Sequence, residues 1–336
     1  MAGSLVTGTD DAVEVLRRKL IERRVVVAIV GPTASGKTAV GLSLARRMGG
    51  EIVSADSRQI YRLLDIGTAK PTAAERGEIS HHFIDILDPD QEYNAGLYGE
   101  QGRATIVEVF RRGNVPIIVG GSGLYIRSLT DGLFDGPASD PDFRTAMEER
   151  VSQGELPLLV EELKRLDPVT SKSIDPTKPR RIIRALEVIH ATGRTLSALQ
   201  EERKPEIPFH AFRIGLMMDR ADLYRRIDAR VDGMLRHGLI EEVEGLKVRG
   251  YGRHLNALNT VGYAEVFSRI ADEISDDEMV RLIKRNSRRY AKRQMTWFSA
   301  DKRIVWVPAL SPTITDAILD LLAKQVSSES PSPRST

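Results

Sequence analysis

Gly31-Pro-Thr-Ala-Ser-Gly36-Lys37-Thr38 follows the β-branched run Arg24-Val25-Val26-Val27-Ala28-Ile29-Val30 and precedes an amphipathic stretch from Ala39 to Met48. Strand, glycine loop and helix form the context in which the pattern GxxxxGK[ST] binds phosphate. Glycines let the backbone curl round an anion with several N–H groups pointing inward. The positive end of the following helix adds to the attraction. In such a loop Lys37 reaches the outer phosphate oxygens and the Thr38 hydroxyl holds Mg²⁺. The motif implies a phosphorylated ligand, without saying which one or what is done to it.

Working outward, Gly49-Gly50 stops the helix, and Glu51-Ile-Val-Ser-Ala55 reads as a second, short parallel strand ending in Asp56-Ser57-Arg58-Gln59-Ile60-Tyr61. Ligands of doubly wound sheets bind at the carboxyl ends of strands, so Asp56 falls beside the loop. Tyr93 to Arg112 reads as a long helix, and Val115-Pro-Ile-Ile-Val119 as a buried strand running into Gly120-Gly-Ser122-Gly-Leu-Tyr125. This second glycine turn opens a helix from Leu124 to Leu129 that carries Arg127. The neighbouring His81 and His82 cannot share a helix face, and no third ligand has suitable spacing, so a structural role is expected for them.

From Gly132 to Pro208 composition changes: prolines 137, 141, 157, 168, 176 and 179 punctuate a stretch with few strand signals. It reads as a helical insertion whose clearest helix is Arg180 to Ile189. The core resumes with the strand Ala211 to Met217 and a helix holding Arg225, Arg226 and Arg230. The expected fold is therefore α/β: a P-loop NTPase-like parallel sheet flanked by helices, with a mostly helical insertion domain. Residues 1–23 are expected to be an N-terminal extension, 24–131 and 209–326 the core, 132–208 the insertion, and the Ser/Pro-rich 327–336 a disordered tail.

The chain has 336 residues, 41% of them hydrophobic, and no cysteine, which excludes disulfides and thiolate metal sites. No apolar run reaches the length of a membrane span, and the N-terminus lacks a secretion pattern, so a cytoplasmic protein is expected. No self-complementary apolar face stands out, which leaves a monomer as the default. Net charge is only +2, so the distribution of charge is more telling than its sum. Arg281, Lys284, Arg285, Arg288, Arg289, Lys292 and Arg293 recur at helical spacing with no acid among them. They form one face of a helix. A solvated face usually mixes acids with bases; this one reads as a phosphate-holding surface for nucleic acid, unable to read sequence by itself.

A P-loop usually signals phosphoryl transfer, but no Asn-Lys-x-Asp guanine reader is present, and the strand at Ile117-Ile118-Val119 ends in glycines rather than an aspartate. Asp56 could accept a proton from an acceptor while the loop holds a phosphorylated donor. From the residues alone this serves two reactions equally. In a kinase the electrophile is phosphorus; in an alkyl transfer it is a carbon bearing diphosphate.

The chain resembles the tRNA dimethylallyltransferase (tRNA isopentenyltransferase) family. The likeness rests on Gly31–Thr38, Ser54-Ala-Asp-Ser-Arg-Gln-Ile-Tyr61, Asp65-Ile-Gly-Thr-Ala-Lys-Pro71, Val119-Gly-Gly-Ser-Gly-Leu-Tyr125, Arg181-Ile-Ile-Arg-Ala-Leu-Glu-Val188, Thr260-Val-Gly-Tyr263 and Arg293-Gln-Met-Thr-Trp-Phe298. These cover about residues 25–310, in the family's order. The resemblance implies transfer of the dimethylallyl group of dimethylallyl diphosphate to N6 of the adenosine 3′ to the anticodon, in tRNAs reading codons that begin with U, without ATP.

It further implies that Asp56 is the base, with Lys37 and Arg230 acting at the departing diphosphate. Gly31, Pro32, Thr33, Ala34, Ser35, Gly36, Lys37, Thr38 and Arg127 would hold the diphosphate, with Mg²⁺ on Thr38. On the tRNA side it implies Asp56, Ser57, Arg58, Gln59, Ser122, Arg144, Arg180, Arg181, Ile182, Ile183, Arg184, Asn259, Thr260, Val261, Gly262, Tyr263 and Ala264. Arg285 and Arg289 join them from the basic helix, and the insertion would clasp the anticodon stem-loop. The chain departs from the family in its extension and tail, and it lacks the zinc finger of eukaryotic members.

Overall fold

A computed structural model of the chain describes residues 10–133, 140–201 and 205–328. Residues 1–9 of the expected N-terminal extension and residues 329–336 of the expected tail lie outside these residues. The first half of the chain gives α1 (Asp10–Glu22), β1 (Val25–Val30), α2 (Lys37–Met48), β2 (Gly50–Ala55), α3 (Ala73–Glu78), β3 (His81–His82), α4 (Ala95–Arg111), β4 (Val115–Gly120) and α5 (Gly123–Asp131). Five helices follow: α6 (Pro141–Ser152), α7 (Leu156–Leu166), α8 (Pro168–Ser173), α9 (Pro179–Thr192) and α10 (Leu196–Glu201). The chain then forms β5 (His210–Met217), α11 (Arg220–Arg236), α12 (Leu239–Val248), α13 (Tyr263–Ile270), α14 (Asp276–Ser299), β6 (Val305–Pro308) and α15 (Ile314–Ser328).

Among the described residues the strands form one sheet in the order β3-β2-β4-β1-β5-β6, every neighbouring pair parallel. β1, β2 and β4 are buried along their whole length, which is why β1 and β4 read as apolar runs rather than alternating ones, while β2 buries Glu51 and Ser54 as well. A parallel sheet sends all its carboxyl ends to one edge. The P-loop after β1, Asp56 after β2 and the glycine turn after β4 therefore meet there.

The chain divides after Thr130 and before Ile207 into two compact units. In the sheet unit, Val13, Leu16 and Leu20 of α1 are buried in the same core cluster as Leu44 of α2, Ile29 of β1 and Ile318 and Leu322 of α15. Residues 10–22 are thus part of this core, which corrects their expected place in an extension. Their apolar stripe has a partner 300 residues away that local pattern cannot reveal.

The second unit, residues 131–206, is helical throughout its regular elements. Its core is built from Leu159, Leu163, Ile182, Ala185, Leu186, Val188, Leu196 and Leu199. At its centre Glu187 is wholly buried. It accepts two hydrogen bonds from Arg144, at 2.7 and 3.0 Å, one from Arg184 at 2.6 Å, and one from the Asp140 N–H. Burial raises the Glu187 pKa, but the two arginines outweigh it and hold the carboxyl below its ordinary value. A carboxylate buried this deeply survives only when it is paired and hydrogen-bonded.

Candidate active site

Gly36 is the residue on which the loop turns. Its φ of 92° lies in the left-handed region, which costs a side chain dearly and glycine nothing, and it leads directly into α2. The first N–H groups of α2 have no partner inside the helix. Lys37 Nζ donates to Pro32 O at 2.6 Å, closing the loop on itself.

At the end of β4, close approach explains why glycines stand where an aspartate commonly sits. A Cβ on Gly120 would collide with the backbone of Ala55, and one on Gly121 with the side chain of Gln294.

A cavity opens at this edge. Thr33, Lys37, Thr38, Ser54, Asp56, Gln59, Thr68, Ala69, Gly120, Gly121, Arg230, Tyr290 and Gln294 line it, with Ile52, Ile84 and Val119 supplying apolar wall. Asp56 is fixed by its own chain: its Oδ1 accepts the N–H of Arg58 at 2.9 Å and of Gln59 at 3.4 Å. Arg230 donates to Thr68 O at 3.2 Å. Gln59 Nε2 donates to Thr68 O and Ala69 O, so both residues lean on the 65–70 loop. That loop is held in turn by Glu242, whose carboxylate accepts the N–H groups of Asp65, Ile66 and Gly67 and the hydroxyl of Tyr263.

Two cations thus share the cavity with one carboxylate. Burial, and then the Arg230 guanidinium, pull Lys37 from 10.5 down to about 7, with Asp56 opposing them. Burial also lowers Arg230, again opposed by Asp56, although an arginine stays protonated at neutral pH all the same. Burial and the negative field of Asp56 push the Tyr290 phenol up to about 12, so it remains a hydrogen-bond donor. Such a site favours an anion.

The structure brings Asp56, Ser57, Arg58, Gln59 and Ser122 together: Ser57 N–H donates to Ser122 Oγ at 3.0 Å, and Ser122 N–H to Ala55 O at 3.1 Å. Arg58 donates to Asn256 O at 2.7 Å, linking this group to the segment that ends in Asn259 and Thr260. Asn259 is exposed; Thr260, Val261 and Ala264 are partly so. Arg127 lies on the exposed face of α5, outside the cavity, because Tyr125, Ile126, Ser128 and Leu129 take the buried face. Ile182 and Ile183 are buried, as is Tyr263, whose hydroxyl is engaged by Glu242. Arg180 and Arg181 remain exposed, while Arg144 and Arg184 turn to Glu187.

The basic helix α14 is also not one uniform stripe. Lys284 pairs with Asp232 at 2.6 Å, Arg288 with Asp228 at 2.5 Å, and Arg281 with Glu278. The first two acids belong to α11, which sequence spacing along α14 alone does not reveal. Arg285, Arg289, Lys292 and Arg293 have no carboxylate partner among the described residues. If this face holds nucleic-acid phosphates, reversing Arg285 and Arg289 to glutamate is expected to weaken RNA binding at least tenfold and to flatten its dependence on salt, as filter binding at several salt concentrations can read.

His82 Nε2 donates to Glu51 at 2.7 Å, beside Arg112 and Asn114. Burial raises Glu51, but the hydrogen bonds from Arg112, Asn114 and His82 prevail and bring it down to about 2. His82 thus sits in an ion network at the amino end of β2, whereas His81 bonds to Ile79 O and lines the cavity. Sequence reasoning assigned no role to Gln294, Tyr290 or Glu242. The first two carry a faint signal, as polar residues on the face of α14 opposite its cations; Glu242 carries none.

A sequence model of the IPP transferase family matches residues 59–301, and one of the isopentenyl transferase family residues 24–91. A tRNA dimethylallyltransferase from Pelotomaculum thermopropionicum is 46% identical over 299 residues, 89% of this chain and 95% of that one. Its counterpart from Geobacter metallireducens is 47% identical over 287 residues, 85% and 93% of the two chains. The crystal structure of a tRNA isopentenylpyrophosphate transferase from Bacillus halodurans superposes with a TM-score of 0.68 at 37% identity, covering 91% of this chain and 97% of that one. A eukaryotic dimethylallyltransferase, 24% identical, shares the fold at a TM-score of 0.74. With its P-loop, Asp56 and the glycine turn of β4 gathered at one sheet edge, and with relatives matching along nearly their full length, this chain belongs to the IPP transferase family.

Proposed function

We propose that the chain transfers the dimethylallyl group of dimethylallyl diphosphate to N6 of the adenosine 3′ to the anticodon of tRNA. The observation that carries this reading is the cavity that Lys37, Arg230 and Asp56 line together with Thr33 and Thr38 of the P-loop. N6 attacks C1 of the donor, the C1–O bond breaks, and diphosphate leaves with the electron pair. Asp56 takes the proton that N6 sheds. The amine is a weak nucleophile because its lone pair is delocalised into the ring, so a positioned carboxylate is useful there. Lys37, Arg230 and the N–H groups at the start of α2 would neutralise the charge that builds on the leaving group. The target base must leave its stack to reach a cavity of this kind, which favours a single-stranded loop.

The residues present fit a Mg²⁺ ion held mainly by the donor. The Thr38 hydroxyl and the Asp56 carboxylate both line the cavity, the Ser35 hydroxyl is buried without a partner, and among the described residues no cluster of three acids or histidines offers a protein-only cage. Mg²⁺ commonly binds through few protein groups plus substrate phosphates. When bound it would supply charge neutralisation at the diphosphate.

Monomeric action in the cytoplasm is part of this proposal. Among the described residues no helix is long and apolar enough to cross a membrane. The test is nucleoside mass spectrometry on an unmodified anticodon stem-loop incubated with donor and Mg²⁺. The expected result is a dimethylallyl mass on one adenosine; an unmodified loop at full enzyme occupancy overturns the reading.

Arg144 separates an RNA contact from a structural one. Arg144→Ala removes two bonds to buried Glu187 and is expected to destabilise the second unit by about 1–3 kcal/mol, less than for a fully buried pair because Arg144 is partly exposed. Thermal unfolding followed by circular dichroism reads this directly.

A further inference from the structure

Gln294 is 6% exposed and lines the cavity. A buried amide must satisfy both of its ends. Its Oε1 accepts the N–H of Thr33 at 2.7 Å, and its Nε2 donates to Gly121 O at 3.0 Å. One side chain from α14 therefore bridges the glycine turns that follow β1 and β4, which are neighbours in the sheet. The absence of a side chain on Gly121 is what makes room for it, since a Cβ there would collide with the amide. The Thr33 N–H is thereby committed within the protein, and Ser35 N–H is committed to Pro32 O at 3.3 Å. Among the described residues, the N–H groups left to grip an anion are those of Ala34, Gly36 and the start of α2. The same helix turns Arg285, Arg289 and Lys292 to its other, solvent-accessible face.

We propose that Gln294 is a positioning residue for the donor: it fixes the first limb of the P-loop in its gripping shape and ties it to the helix that carries the unpaired cations. This rests on the reading of the cavity as a diphosphate site. Preorganisation of this kind lowers what a ligand must order on binding, so its loss appears in donor affinity before it appears in turnover.

The experiment uses the full chain and inorganic diphosphate with Mg²⁺ as probe, measured by titration calorimetry, alongside donor KM and kcat and tRNA Kd. Gln294→Ala is expected to raise the diphosphate Kd and the donor KM by about five- to tenfold, as loss of one buried hydrogen-bond pair does, with tRNA Kd unchanged. Gln294→Glu is nearly isosteric and still accepts from Thr33, but it cannot donate to Gly121 O and places negative charge beside the diphosphate. It is expected to raise the diphosphate Kd further and, because a buried carboxylate then faces the Gly121 carbonyl, to lower the melting temperature. If both variants bind inorganic diphosphate within twofold of the wild type, Gln294 is only a packing residue and the proposal is overturned, whatever the melting temperatures. A wild type that binds diphosphate, variants that bind it more weakly, and no prenyl transfer by any of them would support the role of Gln294 while overturning the tRNA reading. The two failures are thus distinct.

Discussion

Asp56→Ala is expected to lower kcat for prenyl transfer by about 10²–10⁴-fold, the usual worth of a positioned general base, while donor KM changes little. The argument is geometric. Asp56 stands at the end of β2 with its Oδ1 held by two backbone N–H groups, so its orientation does not depend on substrate. Its place beside Lys37 and Arg230 puts it next to the point where the bond to the leaving group breaks. Asp56→Asn refines the test. An asparagine oxygen can still accept a hydrogen bond from N6 but cannot carry away its proton. Binding of the stem-loop should therefore survive while turnover falls about as far as in the alanine variant. Single-turnover transfer measurements separate the two effects. A variant with either residue that prenylates at the wild-type rate removes Asp56 from the mechanism.

The second large effect concerns Lys37. Lys37→Ala is expected to cost about 10²–10³ in kcat/KM for the donor, as loss of a group aimed at developing charge does. The intact enzyme should show a related pH dependence. Burial and Arg230 bring Lys37 down to about 7 in the free site, so it is increasingly neutral above that pH. An arriving diphosphate restores the favourable charge and raises the pKa, so binding takes up a proton. Donor KM should then rise with pH above about 7, by up to tenfold per unit until the pKa of the complex is reached. Below about 7 Lys37 is already charged, and the dependence on this group vanishes. Lys37→Arg keeps a cation at every working pH and should flatten the slope. A wild-type KM that is level from pH 7 to 9 contradicts the assignment.

What could be read from the sequence follows the range of the interactions. The P-loop, the strand before it and the placement of Asp56 are local patterns, and the parallel sheet converts them into a site because its strand ends share one edge. The buried runs of β1 and β4 likewise announce themselves. Arg230 has no such local mark: it lies in a helix with Arg225 and Arg226 and is set apart by the family likeness, while its cavity position comes from how α11 packs. Arg127 shows the opposite error, since a basic residue near a glycine turn looks like an anion ligand until the helix phase turns it to solvent. Ile182, Ile183 and Tyr263 stand within recognisable motifs, yet their side chains are buried, so these motifs carry the scaffold as well as the surface. The basic helix divides because Asp228 and Asp232, more than 50 residues earlier, claim two of its cations. Gln294 is only faintly legible and Glu242 not at all for the same reason: each acts on a loop remote in sequence.

The P-loop here is taken to grip a diphosphate that leaves, rather than a nucleotide that is cleaved. The direct measurement is a single-turnover reaction with dimethylallyl diphosphate labelled in the prenyl group, unmodified tRNA and Mg²⁺, with no nucleotide present. The predicted result is label in one adenosine of the anticodon loop with one diphosphate released per label transferred. Transfer that requires ATP, or diphosphate release with no label in the RNA, would contradict it.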